Sequence, residues 1–172
     1  MKLSEIIVNG VKYSDIVVHR ANREETLYWV QYQDKQAHSS RFVLVDNNKK
    51  ILSKPYYDCF GFIGGAKNAI VELKYNETIL IDRYGKEKIY FGDAVVWAVK
   101  LDGHILYNIR KNDHYLIMTD DYKFYLNTTR KEITIWDIFD TVKTMLTKQI
   151  NPAKYGIKSM LLGDKINKML SL

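Results

Sequence analysis

Between Phe42 and Phe91, apolar runs of only four to six residues are cut by polar pairs and glycines that favour turns. Phe42-Val43-Leu44-Val45 closes at Asp46, and Asn47-Asn48 leads into Lys49-Lys50-Ile51-Leu52. After Gly64-Gly65, Ala69–Lys74 and Thr78–Asp82 flank Tyr75-Asn76-Glu77, and Tyr84-Gly85 turns into Lys86–Ile89. Runs this short, rich in branched and aromatic residues, suit strands and are too short for helices. The stretch predicts consecutive antiparallel hairpins.

The flanking residues extend that pattern. Asn9-Gly10, between Glu5–Val8 and Val11–Tyr13, is the strongest hairpin signal, because both residues accept the positive φ of a type I′ turn. Asp15–Arg20 and Thr26–Tyr32 read as a second pair, followed by a polar, loop-like Gln33–Ser40. Asp102-Gly103 joins Val95–Leu101 to His104–Arg110, and Asp120-Asp121 joins Tyr115–Thr119 to Tyr122–Leu126. Val95, Val96, Trp97 and Val99 are apolar on both faces, which predicts a central strand.

After Arg130 the period changes. Thr134 and Asp137 form a capping box, and Ile135, Ile138, Phe139, Val142, Met145, Leu146 and Ile150 recur at helical spacing. A helix is expected over Thr134–Ile150, a second over Ala153–Leu162 after Asn151-Pro152, and a last one over Asp164–Leu172. The expected fold is therefore α+β but mostly β. An antiparallel hairpin meander over residues 1–130, whether repeat-like, sandwich or barrel, carries a helical segment, 131–172, of the same domain. The length suits one domain.

Asp46, Asp82 and Asp120 each close an apolar strand, at intervals of 36 (46 to 82) and 38 (82 to 120) residues. Spacing of this order suggests hairpin units that bury their apolar faces on one another. Asp46-Asn47-Asn48-Lys49-Lys50-Ile51, Tyr56-Tyr57-Asp58, Phe62, Gly64-Gly65-Ala66, Ala69-Ile70-Val71 and Leu80-Ile81-Asp82-Arg83-Tyr84-Gly85-Lys86-Glu87 together resemble bacterial WG-repeat proteins. The namesake Trp-Gly is replaced by Glu77-Thr78. The resemblance implies a β-rich repeat with an interaction role and brings no catalytic residues.

Composition narrows the functional classes. A single cysteine, Cys59, excludes an internal disulfide and a cysteine-based zinc cage and fits a reducing compartment. No apolar run reaches the roughly 18 residues of a membrane span, and the first residues lack a signal-peptide core, so a cytoplasmic location is expected. The net charge of +6 is concentrated at the end. From Thr141 onward six lysines face one acid, Asp164.

The chemical candidates are few. Glu72-Leu73-Lys74, with Asp58 upstream, resembles the PD-(D/E)xK nuclease signature, in which two carboxylates hold Mg²⁺ and the lysine stabilises charge on the attacked phosphate. The strand that follows at Thr78, where that family has a helix, argues against it. His19, His38, His104 and His114 have no metal-ligand spacing, and no metal or cofactor is expected. Gly61–Lys67 lacks the Gly-Lys-Ser/Thr ending of a phosphate loop and reads as a tight turn.

Tyr122, Lys123, Tyr125, Arg130 and Lys131 interleave aromatic and basic residues as a binding face would. Lys154, Lys158 and Lys165 can share one helical face if Gly163 does not break it, and Lys168 follows. The expected function is a non-catalytic binding module for a protein with an acidic surface. Abundant Lys, Ile, Asn and Tyr suit an A/T-rich phage or mobile element, where small proteins block a host enzyme or defence system in the manner of an anti-CRISPR. The alternatives are nucleic-acid binding and, in sharper form, the Mg²⁺-dependent nuclease.

Overall fold

The computed structural model describes residues 1–101, 103–111, 114–127 and 157–161. They belong to two compact units, Met1–Gly92 and Asp93–Leu172. Both are built from antiparallel strands, and the only helical element among the described residues is a single 3-10 turn, Ile63–Gly65.

The first unit begins with the hairpin that Asn9-Gly10 demands. β1 (Ile6–Val8) pairs with β2 (Val11–Tyr13), Val8 opposite Val11, and the two turn residues have φ of 51° and 80°. β3 (Ile16–Arg20), β4 (Leu27–Asp34) and β5 (Ser39–Asp46) then form a three-stranded sheet with β4 in the middle. Here the structure corrects the polar loop expected over Gln33–Ser40. Strand pairing continues to Asp34 opposite Ser39, and the Asp34 carboxylate accepts the N–H groups of Gln36 and Ala37 to close a tight turn. The polarity of this stretch reports exposure, which an edge-on hairpin tip has as much as a loop does.

A four-stranded sheet follows: β6 (Asp58–Cys59), β7 (Asn68–Glu72), β8 (Thr78–Asp82) and β9 (Glu87–Gly92), paired in that order. The strand expected over Lys49–Leu52 shrinks to one bridge, Val45 to Ile51. Alternation along β4 and β5 splits the core into two layers. Leu27, Trp29 and Leu44 face Ala69, Val71, Ile79 and Ile81 of the four-stranded sheet, with Tyr56 and Phe62 between. Val30, Tyr32, Val43 and Val45 face the opposite way, onto Ile6 and Val8 of the first hairpin. Three layers therefore stack around two seams. Each fully buried large side chain in them contributes about 1.5–3 kcal/mol.

In the second unit β10 (Val95–Leu101), β11 (His104–Lys111), β12 (His114–Thr119), β13 (Lys123–Asn127) and β14 (Ile157–Leu161) form one sheet in chain order. β10 is thus an edge strand rather than the expected central one, and Val95 is 51% exposed. The strand buried on both faces is β11, where Ile105 to Ile109 are all covered. A doubly apolar strand shows that both faces are covered somewhere, but it does not count its neighbours. A second correction falls on Ala153–Leu162. Residues Ile157–Leu161 are a strand paired antiparallel with β13, not part of a helix. Ile157, Ser159 and Leu161 alternate with Lys158 and Met160, so five residues fit either period, and pairing with β13 decides. The helices expected at Thr134–Ile150 and Asp164–Leu172 lie outside the described residues. All four sheets are open, and no barrel is closed among the described residues.

One turn is built four times. At Asp46 the carboxylate Oδ1 accepts the N–H groups of Asn48 and Lys50 at 2.9 Å, the Asp46 carbonyl accepts Lys49 N–H, and Lys49 has φ 67°. At Asp82 the same atom accepts Tyr84 and Lys86 N–H at 2.9 and 3.0 Å, the carbonyl accepts Gly85 N–H, and Gly85 has φ 76°. Asn22 plays this part towards Thr26 N–H, with Glu25 at φ 55°, and Thr119 plays it towards Lys123 N–H, with Tyr122 at φ 63°. This is the three-residue hairpin loop that ends in a left-handed residue. The interval from Asp46 to Asp82 is 36 residues, as expected, but the next equivalent is Thr119, 37 further on, and Asp120 stands one place too late.

Candidate functional site

One end of the four-stranded sheet gathers exposed aromatic rings around a small group of charges. Tyr57 N–H donates to the Glu72 carbonyl at 2.7 Å, which fixes the residues before β6 against the end of β7. The Arg41 guanidinium sits over the Tyr57 ring, 5.4 Å from its centroid. Tyr75 occupies the β7–β8 turn and is 74% exposed, and Tyr90 on β9, opposite Ile79, is 55% exposed. The turn is shaped by Asn76 at φ 61° and by a hydrogen bond from Leu73 N–H to the Glu77 carbonyl. Lys74 pairs with Glu77 at 2.8 Å. Its ammonium is held above the usual lysine range by that hydrogen bond first, and Tyr90 adds to the effect.

The same end contains the three residues of the nuclease reading. Register places Asp58 directly opposite Glu72. The Asp58 carboxylate accepts the Cys59 N–H at 2.7 Å. Burial, and next the Asp58 charge, push the Glu72 carboxyl above the ordinary carboxylate range. Two opposed carboxylates are thus brought together. Lys74 is not brought to them: β7 ends at Glu72, and the ammonium is engaged by Glu77. A strand, β8, follows this turn. Among the described residues no three His, Cys, Asp or Glu side chains group as metal ligands.

Other candidates resolve simply. Burial first, then Asp58, pushes the Cys59 thiol up, so it is not a thiolate nucleophile at neutral pH. Gly61–Lys67 folds as a tight turn, with Gly64 at φ 59° and Gly65 at φ 90°, and β7 follows it. The Arg83 guanidinium donates to the Gly65 carbonyl at 3.2 Å and ties this turn to the one at Asp82.

The basic and aromatic set is only partly described. Lys123 is exposed, 3.8 Å from Asp121, and Tyr122 holds the left-handed turn position before it. Tyr125 lies on β13 and Lys158 on β14. Register pairs Lys123 with Leu161 and Leu126 with Lys158, so positions 123 and 158 do not oppose one another. Lys158 lies on a strand and so is not part of the expected helical face. Arg130, Lys131, Lys154, Lys165 and Lys168 lie outside the described residues.

Sequence reading missed Arg41, Tyr75 and Tyr90. The available signal was Tyr75 at a turn tip, a position where an aromatic ring buries nothing. No family model matches this chain, and no curated protein or solved structure does either. Among the described residues no helix is long and apolar enough to cross a membrane.

Proposed function

We propose that this chain is a non-catalytic protein-binding module whose partner docks on the aromatic end of the β6–β9 sheet. The observation that carries this reading is the exposure of Tyr57, Tyr75 and Tyr90 around one sheet end, with Arg41 stacked on Tyr57. Tyrosine offers large contact area with little rotamer freedom to lose, and Tyr and Arg are enriched among the residues that dominate interface energies. Single exposed aromatics are ordinary, whereas a group held at the end of a paired sheet, by a strand, a turn and a backbone hydrogen bond, is a preorganised surface. The recurrence of one turn at Asp46 and Asp82, 36 residues apart, supports a repeat scaffold of the WG type, for which an interaction role is the implied function. A cytoplasmic inhibitor of a host enzyme, carried by a phage or mobile element, would use such a surface, with the C-terminal lysines assisting approach to an acidic partner.

The competing reading, a Mg²⁺-dependent nuclease, is favoured by the opposition of Asp58 and Glu72. Two measurements separate them. In a capture experiment from nuclease-treated host lysate, wild type retains a defined protein and Tyr75→Ser/Tyr90→Ser loses it. Loss of all material on digestion overturns the protein-binding reading. With DNA and RNA in Mg²⁺ or Mn²⁺, no cleavage is expected; cleavage abolished in Glu72→Ala/Lys74→Ala would establish the nuclease.

A further inference from the structure

The opposite surface of the first unit holds an open groove between the N-terminal segment and the Asp46 turn. Its volume is about 480 Å³, within the range of peptide side-chain and ligand pockets. Leu3, Ile7 and Ile51 supply apolar lining, and Lys2 and Lys49 stand among the lining residues. Ile7 is 59% exposed, because β1 turns Ile6 and Val8 into the core and the intervening side chain outward.

The charges decide what this groove suits. Lys2 and Lys49 are exposed and have no ion pair among the described residues. Glu5 also lines the groove, but its carboxylate is taken by Lys12 at 2.5 Å. Lys50, also exposed, follows Lys49 in the same turn. Asp46 accepts both the preceding and the following N–H groups and so shapes the turn that carries Lys49. Apolar lining flanked by two exposed ammonium groups, one on the N-terminal segment and one on the Asp46 turn, complements carboxylates spaced around an apolar side chain.

We propose that this groove binds an extended acidic peptide segment, with an apolar side chain entering against Ile7 and Ile51 and carboxylates meeting Lys2 and Lys49. The proposal deepens the protein-binding reading by naming the chemistry of one partner segment, at a surface separate from the aromatic end. A phosphate backbone would satisfy the lysines but leave the apolar lining exposed, so the peptide is the better fit.

The test uses fluorescence anisotropy on the full chain with three labelled probes: a peptide alternating Glu and Leu, its Gln–Leu counterpart, and oligothymidylate of equal charge. The Glu–Leu peptide should bind at least tenfold more tightly than the Gln–Leu peptide, and more tightly than oligothymidylate. Lys2→Glu/Lys49→Glu should weaken it at least tenfold and Ile7→Ser severalfold. Both variants change exposed side chains, and an unchanged melting temperature checks that they fold. Equal binding of the two peptides, preference for oligothymidylate, or no response to the lysine reversals would overturn the proposal. Tyr75→Ser/Tyr90→Ser should leave peptide binding intact. Loss there would show that the peptide sits on the aromatic end and not in the groove. Failure of the lysine variants to respond leaves the aromatic-end capture result untouched, so the two readings fail separately.

Discussion

Gly85→Ala should be one of the most damaging single-methyl additions available to the first unit. Gly85 has φ 76°, and a Cβ built there would lie 2.1 Å from the Leu52 carbonyl oxygen and 3.0 Å from Ser53 N. Those atoms belong to backbone that cannot easily retreat. Leu52 N–H donates to the Leu44 carbonyl at 2.7 Å, and the Ser53 hydroxyl accepts Leu44 N–H at 2.9 Å, both anchoring the segment to β5. The left-handed conformation alone costs a residue with a Cβ about 1–2 kcal/mol. Overpacking against a held backbone adds about 1–3 kcal/mol. The expected loss is therefore about 2–5 kcal/mol, the sum of these two effects. Gly10→Ala separates the contributions: Gly10 has φ 80°, but nothing lies within 4 Å of its would-be Cβ. It should lose only the conformational part, about 1–2 kcal/mol. Urea unfolding followed through Trp29, which is 2% exposed in the same unit, reads both variants in a Trp97→Phe/Trp136→Phe background. The Gly85 variant should unfold at a midpoint lower than the Gly10 variant by on the order of 1 M, given a slope of about 1–3 kcal/mol/M. Equal midpoints would refute the close stacking of the Asp82 turn on Leu52.

Asp82→Ala removes the acceptor of Tyr84 and Lys86 N–H and should cost about 1–2 kcal/mol, with Asp82→Asn costing less because an amide oxygen still accepts; the same urea titration measures both. Glu72 carries a carboxyl raised by burial and by Asp58, so folding favours its protonated form. That contribution is full below the ordinary glutamate range and lost as pH rises through the folded-state value. Glu72→Gln should therefore raise the melting temperature at pH 7 and change it little near pH 4, whereas an equal shift at both pH values would show that charge is not the cause. The Tyr56 hydroxyl is buried without a hydrogen-bond partner, and the ring is 1% exposed and packed edge-on against Trp29 at 6.5 Å. Tyr56→Phe should keep the packing and gain up to about 1–3 kcal/mol, the cost of an unpartnered buried hydroxyl; a lower melting temperature would reveal a partner for that oxygen.

Local chemistry was legible where it is strong. Asn9-Gly10, Tyr84-Gly85 and Gly64-Gly65 all turn as their φ preferences require, and Thr78–Asp82 and Val95–Leu101 carry the boundaries read from their apolar runs. Two kinds of information were not local. Strand order depends on which neighbour covers an edge, and nothing within Val95–Val99 records that β11 alone pairs with it among the described residues. Residues 157–161 satisfy both periods, and only β13, thirty residues earlier in the chain, selects the strand. The candidate site was half legible. Asp58, Glu72 and Lys74 were visible as a pattern, and register did bring the two carboxylates together. The diversion of Lys74 to Glu77 depends on the φ of Asn76, which turns the chain after β7.

The repeated turn explains why its spacing is easier to see than its sequence. Its first position needs only a short side chain with an oxygen that can accept a backbone N–H, and Asn22, Asp46, Asp82 and Thr119 all supply one. Its fourth position needs positive φ, which Glu25, Lys49 and Tyr122 adopt at some cost and Gly85 adopts freely. Backbone geometry is thus held constant while side chains vary, except where a neighbouring backbone segment removes the room for a Cβ. At the Asp82 turn the left-handed residue lies against the Leu52 backbone, and there glycine stands. Reading Asp120 as the third member followed the side chain instead of the acceptor role. Thr119, one residue earlier and less conspicuous, makes the bond, and its hydroxyl donates to the Asp121 carboxylate at 2.5 Å. The unit that repeats is therefore a hydrogen-bonding pattern, and in three of its four copies a lysine follows the left-handed residue, at Lys50, Lys86 and Lys123. In the first unit Lys50 and Lys86 hold that position and are exposed, whereas Thr26 holds it at the Asn22 turn.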